Sequence, residues 1–200
     1  MEQRKINLFT ALFLAFGIIY AFSLYMQAGL LPVGVIFGSM MGGLMGWRKT
    51  TAHHPADPIK VVPLYLLLLV LFNIHVGEEY LTHFNQAIAS ISGHNWEDKN
   101  FTFFIALMGP IIWIYGAFSL WLKRPFGNFI LWFMIVGMIL GEPTHFLVFP
   151  LVKIYQQGGR YEYFSGMYTA LFPMVPAILA MLVIFADSKK FKAQNKKSMV

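Results

Sequence analysis

The sequence predicts an all-α, polytopic membrane protein: one bundle of about six transmembrane helices with both termini cytoplasmic. Three observations predict it. The 200 residues are 58% apolar, 17% aromatic and only 12% charged, a balance outside that of soluble domains. Several apolar runs approach or exceed the ~20 residues that cross a bilayer as helix. Lysine and arginine are also distributed unevenly around those runs. With six spans, all but Lys99, Lys153 and Arg160 of the 15 basic residues lie on the side of the termini. The positive-inside rule then makes that side cytoplasmic, as expected for a multi-pass plasma-membrane protein.

The charged head, residues 1–5, precedes an apolar run from Ile6 to Met26. The run is too long for a usual signal-peptide core and has no small-x-small exit, so it reads as a retained helix. Gly29-Leu30-Leu31-Pro32 turns the chain into a second helix ending near Trp47. Its Gly38, Gly42, Gly43 and Gly46 permit close helix contact, either within the chain or as a homo-oligomer face. Residues 48–60 form a polar loop whose His53-His54 pair, set beside prolines, reads as solvated. A third helix opens near Val61-Val62-Pro63, where a first-turn proline does no harm, and is expected to continue as far as Ala89. Residues 90–100 read as an exposed loop. A fourth helix, Phe101 to Leu122, carries a Gly109-Pro110 kink, and Lys123-Arg124-Pro125 closes it. The fifth runs from Phe126 or Gly127 towards Phe149-Pro150. A loop from Lys153 to Tyr163 leads to a sixth, Gly166 to Ala186. The lysine-rich tail, 188–200, is expected to be disordered. The organisation is thus two N-terminal spans with their loop (1–60), a four-helix membrane domain (61–187) and the tail.

Within the third helix, Asn73-Ile74-His75-Val76-Gly77-Glu78-Glu79-Tyr80-Leu81-Thr82-His83 interrupts the apolar run. An acidic residue at the centre of a membrane helix costs roughly 2.5 to 3.5 kcal/mol. Two carboxylates and two imidazoles together therefore require compensation. On a helix, His75, Glu78, Glu79, Thr82, His83 and Gln86 fall within about 140° of one face. Leu68, Leu71 and Phe72 continue that face as apolar residues. The polar stripe thus begins halfway across the membrane, too deep for short side chains to snorkel. The fifth helix enters from the same side and carries Gly141-Glu142-Pro143-Thr144-His145. At 1.5 Å per residue, His75 and Glu142 both lie about 20 Å in, within the outer half of a ~30 Å core. The matching depths predict one shared site.

Three carboxylates and three imidazoles form a hard-to-borderline set suited to Zn, Fe or Mn, as one ion or two. The absence of cysteine excludes thiolate sites and disulfides. The expected ligands are His75, Glu79, His83, Glu142 and His145, with Glu78 as ligand or catalytic base. Glu79 ranks above Glu78 because it lies nearer the centre of the polar face. The same residues could instead form a proton or ion relay in a small transporter, or neutral Glu–His pairs in a structural subunit. No basic patch interleaved with aromatics points to nucleic acid. The expected partners are the bilayer and a lipid substrate.

The string His75-x-x-Glu78-Glu79 resembles the signature of the HXXEE family of small integral membrane proteins, and the resemblance covers roughly residues 61–186. His145 resembles that family's later histidine. Tyr163-Phe164-Ser165-Gly166-Met167-Tyr168-Thr169-Ala170 resembles its Tyr-Pro-Gly-x-x-Thr-Ala stretch, with Ser165 in place of proline. Glu142 stands where that pattern leads one to expect asparagine, and is the better metal ligand of the two. The resemblance implies a membrane enzyme and gives no substrate. Hydrolysis, hydroxylation or isomerisation of an apolar substrate reached from the bilayer are the reactions this donor set could serve.

Overall fold

The structure, a computed structural model, describes residues 1–197. Among the described residues, six helices are long and apolar enough to cross a membrane. In chain order the helices are α1 (Gln3–Ala28), α2 (Leu30–Lys49), α3 (Pro58–Leu81), the short α4 (Phe84–Ser92), α5 (Asp98–Trp121), α6 (Pro125–Gln157) and α7 (Leu171–Lys197). No strand occurs among the described residues.

The first two spans belong to the same bundle as the rest: α2 lies along α1 and α6, while α3 lies along α7. Three of the α2 glycines make this packing possible. A Cβ on Gly43 would lie 2.7 Å from the Phe133 backbone, on Gly46 2.5 Å from the Trp132 ring, and on Gly42 2.8 Å from Val136 Cγ1. Gly34 and Gly38 have nothing within 4 Å. The inner core is large and aromatic, with Trp47, Tyr65, Phe129, Ile130 and Leu131 at 2% exposure or less. Phe13 stacks on Phe129 at 4.4 Å. At one end of the bundle, Lys60 of α3 pairs with Asp187 of α7 at 2.9 Å.

The structure differs from the sequence expectation at several points; α6, for one, runs on to Gln157, past the expected end near Phe149-Pro150 and into the expected loop from Lys153. The third span stops at Leu81 instead of reaching Ala89. The Thr82 hydroxyl turns back to the Glu78 carbonyl (2.7 Å), and His83 adopts the left-handed conformation (φ 57°). α4 then leaves in a new direction. The 90–100 segment is not uniformly exposed. Trp96 is buried, and its carbonyl accepts from Asn85 Nδ2 (2.7 Å), whose other acceptor is Asp98 (2.7 Å). The last helix begins at Leu171, five residues later than expected, because Ser165–Ala170 form turns. It also runs on to Lys197, through most of the expected disordered tail; residues 198–200 lie outside the described residues.

α5 and α6 each contain a widened, π-helical stretch, Thr102–Met108 and Gly137–Gly141. In α6 this precedes Pro143, which has no N–H to continue the ladder. The Thr144 hydroxyl accordingly donates to the Gly141 carbonyl, and the chain resumes with Leu147 N–H on Pro143 O at 2.8 Å. π-turns re-aim side chains and occur often at functional sites. Here the side chains re-aimed are Glu142 and His145.

Candidate metal centre

α3 contributes His75 and Glu79, one turn apart, and the broken part of α6 contributes Glu142 and His145. All four are buried, none more than 6% exposed. His75 Nε2 lies 2.8 Å from Glu142 Oε2 and 3.6 Å from Glu79 Oε1, while His145 Nε2 lies 3.5 Å from Glu79 Oε1. The two imidazole planes are nearly perpendicular (89°) with centroids 4.8 Å apart. His75, Glu79 and His145 each offer one donor atom within 4.8 Å of the others, and this group could hold a metal ion. Edges of about 3.4 Å are what a tetrahedron with bonds of about 2.1 Å requires. The two Nε2–Glu79 separations sit close to that value.

The far side of each imidazole is fixed by the segment between α6 and α7. His145 Nδ1 is 2.7 Å from the Ser165 carbonyl, which can only accept, so Nδ1 carries the proton. His75 Nδ1 is 3.1 Å from Thr169 Oγ1, whose own hydrogen is donated to Glu78 Oε2. Thr169 must therefore accept from His75. Both rings thus carry hydrogen on Nδ1 and turn Nε2 inward, a tautomer assigned from the hydrogen-bond network. In their neutral form, two lone-pair nitrogens face two carboxylates, all acceptors. Glu142 Oε2, despite its short approach to His75, has no hydrogen bond of adequate geometry. A buried array of acceptors with no donor is costly unless a cation sits among them. The residues present therefore fit a divalent metal. Each imidazole donates its Nδ1–H to a carbonyl or hydroxyl, the arrangement in which metal-bound histidines are commonly held.

Gly166 closes the array. Its φ is 83°, and a Cβ there would lie 2.5 Å from His145 Nδ1 and 2.9 Å from His75 Cε1. Only glycine lets the backbone pass this close. Aromatic rings collar the site, with Phe84 5.0 Å and Phe149 5.4 Å from the His145 ring, and Phe72 6.0 Å from His75.

Glu78 stands just outside. Its Oε1 accepts from the Tyr163 hydroxyl (2.6 Å) and the Tyr168 N–H (3.1 Å), and its Oε2 from the Thr169 N–H (2.8 Å) and hydroxyl. Burial, and then the bond to Glu78, holds the Tyr163 phenol above its ordinary value, so it remains the donor. His83, expected as a ligand, is exposed and outside the cluster, because α3 ends at Leu81, two residues before it, and the chain turns there. Gln86 is exposed for the same reason. Sequence periodicity missed Thr169, Ser165 and Gly166 as parts of the site. The only signal that could have marked them was the Tyr163–Ala170 resemblance.

A chamber of about 140 Å³ opens from the array into the bundle. Glu79, Glu142 and His145 are its charged lining, with Phe84 and Phe149 to one side and Phe133, Met138, Trp113 and Ile130 to the other. No family model, curated protein or solved structure matches this chain, and the functional reading therefore rests on this geometry.

Proposed function

We propose that this protein is a metal-dependent integral membrane enzyme acting on a lipid or other apolar substrate, its Zn, Fe or Mn ion held by His75, Glu79, Glu142 and His145. The observation that carries the reading is the convergence of two inward Nε2 atoms and two carboxylates, buried and without donors. Two carboxylates and two neutral imidazoles sum to two negative charges, which one divalent ion offsets. When bound, such an ion supplies a Lewis acid that polarises a substrate oxygen or activates water.

The chain's own groups have distinct tasks in this reading. Glu142 turns its Oε2, buried and free of hydrogen bonds, to the metal. Glu78, expected as the catalytic base, has both oxygens occupied by four donors. It acts as a positioning residue instead, fixing Thr169, which orients His75. The collar of Phe72, Phe84 and Phe149 excludes bulk water. The HXXEE resemblance also favours a membrane enzyme. A proton relay is less well supported, since Ser39, one of the few hydroxyls along the chamber, donates to Val35 of its own helix (2.8 Å).

Elemental analysis of the purified protein tests the reading. We expect about one Zn, Fe or Mn per chain in wild type, loss in Glu79→Ala and His145→Ala, and retention in His83→Ala. Wild type that takes up none of the three metals on loading would reject the proposal. Metal retained by both ligand variants would place it elsewhere.

A further inference from the structure

At the end of the bundle that carries the termini, far from the Glu–His array, a cleft of about 300 Å³ lies between the last turns of α2 and α7. Lys49, His53 and His54 line it from the α2 side, and Ser188, Phe191 and Lys192 from α7. We infer that this cleft binds a phosphate group, the group that anionic phospholipid headgroups share with soluble phosphate.

Charge is the first argument. Lys49 and Lys192 form no ion pair among the described residues, and no carboxylate among those residues lines the cleft. Asp187, the one acidic residue on α7, is turned away: both its oxygens accept from Lys60 of α3 at 2.9 Å. The carbonyls at the end of α2 are natural competitors for an ammonium group. Those of Gly46, Trp47 and Thr50 are already occupied. Gly46 O accepts from the Thr50 hydroxyl (2.6 Å), Trp47 O from the N–H groups of Thr50 and Ala52, and Thr50 O from those of His53 and His54. Two ammonium groups thus face one cleft with nothing there to offset them, and an anion between them does so.

The donors are built as well as charged. Ser188 is only 8% exposed, and its hydroxyl makes no hydrogen bond among the described residues. Thr10, Ser39 and Thr50 each donate to the carbonyl four residues back in their own helices; Ser188 does not. A buried hydroxyl without a partner is costly, and an acceptor entering the cleft satisfies it. His54 lies flat on Phe191, with centroids 4.4 Å apart and planes at 11°. This contact ties the loop after α2 to α7 and leaves the ring nitrogens at the edge, where one can donate. A phosphate group, with several oxygens around one centre, matches a set of ammonium, hydroxyl and imidazole donors.

The cleft is also closed towards the membrane interior. One helical turn further in, Trp132 of α6 fills the gap between α2 and α7. A Cβ on Gly46 would lie 2.5 Å from its ring, and the Phe185 ring is 5.5 Å away. The cleft therefore opens outward, at the level where the α2 span ends. It receives a headgroup and no acyl chain, as basic pockets between membrane helices do.

Native mass spectrometry of the full chain in detergent, titrated with phosphatidylglycerol and in parallel with phosphatidylcholine, tests the inference. We expect one saturable phosphatidylglycerol per chain, bound at least about tenfold more tightly than phosphatidylcholine. Lys49→Gln combined with Lys192→Gln should weaken it about tenfold or more, and Ser188→Ala, which alters no charge, about threefold or more. Lys189→Gln combined with Lys190→Gln removes the same charge from the same stretch of α7, outside the cleft lining, and should change binding by less than about twofold. Excess inorganic phosphate identifies the source. Lipid that it does not displace assigns the cleft to a headgroup. Phosphate that binds wild type and not the Lys49→Gln, Lys192→Gln double variant, with no saturable lipid, assigns it to soluble phosphate. Equal weakening by the two lysine pairs would overturn the inference, leaving only a solvated positive end. So would the absence of saturable binding by either lipid or phosphate.

Discussion

The Thr169 hydroxyl has one hydrogen and two polar neighbours, Glu78 and His75, and this small fact orders the site. It donates to the carboxylate and accepts from the imidazole, so His75 can present only Nε2 inward. Thr169→Val should therefore lower metal affinity by about 10- to 100-fold, the usual effect of losing an outer-shell partner, while Thr169→Ser should restore most of it. Metal-chelator competition on the folded protein measures both. Gly166→Ala acts differently. It combines a positive φ of 83° with a Cβ inside the His145 ring's contact distance, and should destabilise the protein by about 1–3 kcal/mol. Gly159→Ala, with φ 103° and nothing within 4 Å, should show the smaller cost of backbone strain alone. Thermal unfolding in detergent compares the two. His75, Glu79, Glu142 and His145 were legible in the sequence because ionisable groups at one membrane depth have few other reasons to be there. Thr169 and Gly166 were not, since a threonine and a glycine some ninety positions from His75 carry no such signal until the chain doubles back.

Helix ends and helix breaks set which of those residues meet. Hydropathy located all six spans, because apolar length is dictated by the bilayer whatever the internal packing. It could not see α3 stop at Leu81. The run from Phe84 to Ser92 is amphipathic enough to continue a helix, and the turn at His83 depends on a left-handed conformation that histidine adopts only in a minority of cases. His83 was lost from the site for that reason. In α6 the reverse holds. Pro143 lacks the N–H that a continuous helix needs there, but the widening over Gly137–Gly141 that swings Glu142 inward left no mark in the sequence. The α2–α6 contact is where element-scale packing is most exacting. Gly43→Ala places a methyl 2.7 Å from the Phe133 backbone, which cannot move independently of α6. The helices must separate, at a cost of about 1–3 kcal/mol, and with them the wall of the chamber. Gly38→Ala, facing open space, should be neutral or slightly stabilising, as expected for alanine in an exposed helix. Reversible SDS unfolding of the two variants checks the difference. Equal effects would mean that the glycines serve another contact.

At the scale of the molecule, the bundle divides a basic end from an end that carries the site. One end of the bundle holds Arg4, Lys5, Arg48, Lys49, Lys60, Lys123 and Arg124, while Lys99, Lys153 and Arg160 lie at the other. We propose from this that the basic end is cytoplasmic and that the segment covering the site, residues 158–170, lies outside. A lipid of the outer leaflet would then reach Glu79, Glu142 and His145 without crossing the membrane. The chain has no cysteine, so single cysteines report its topology without a background. Tyr161 is exposed within the site-covering segment, and His53 is exposed in the loop between α2 and α3. In intact cells a membrane-impermeant maleimide should label Tyr161→Cys directly and His53→Cys only after permeabilisation. The reverse pattern would invert the protein and assign the substrate to the inner leaflet, leaving the geometry of the site untouched. Labelling of both positions in intact cells would contradict the span count, because three spans, α3, α5 and α6, separate the two loops in this fold.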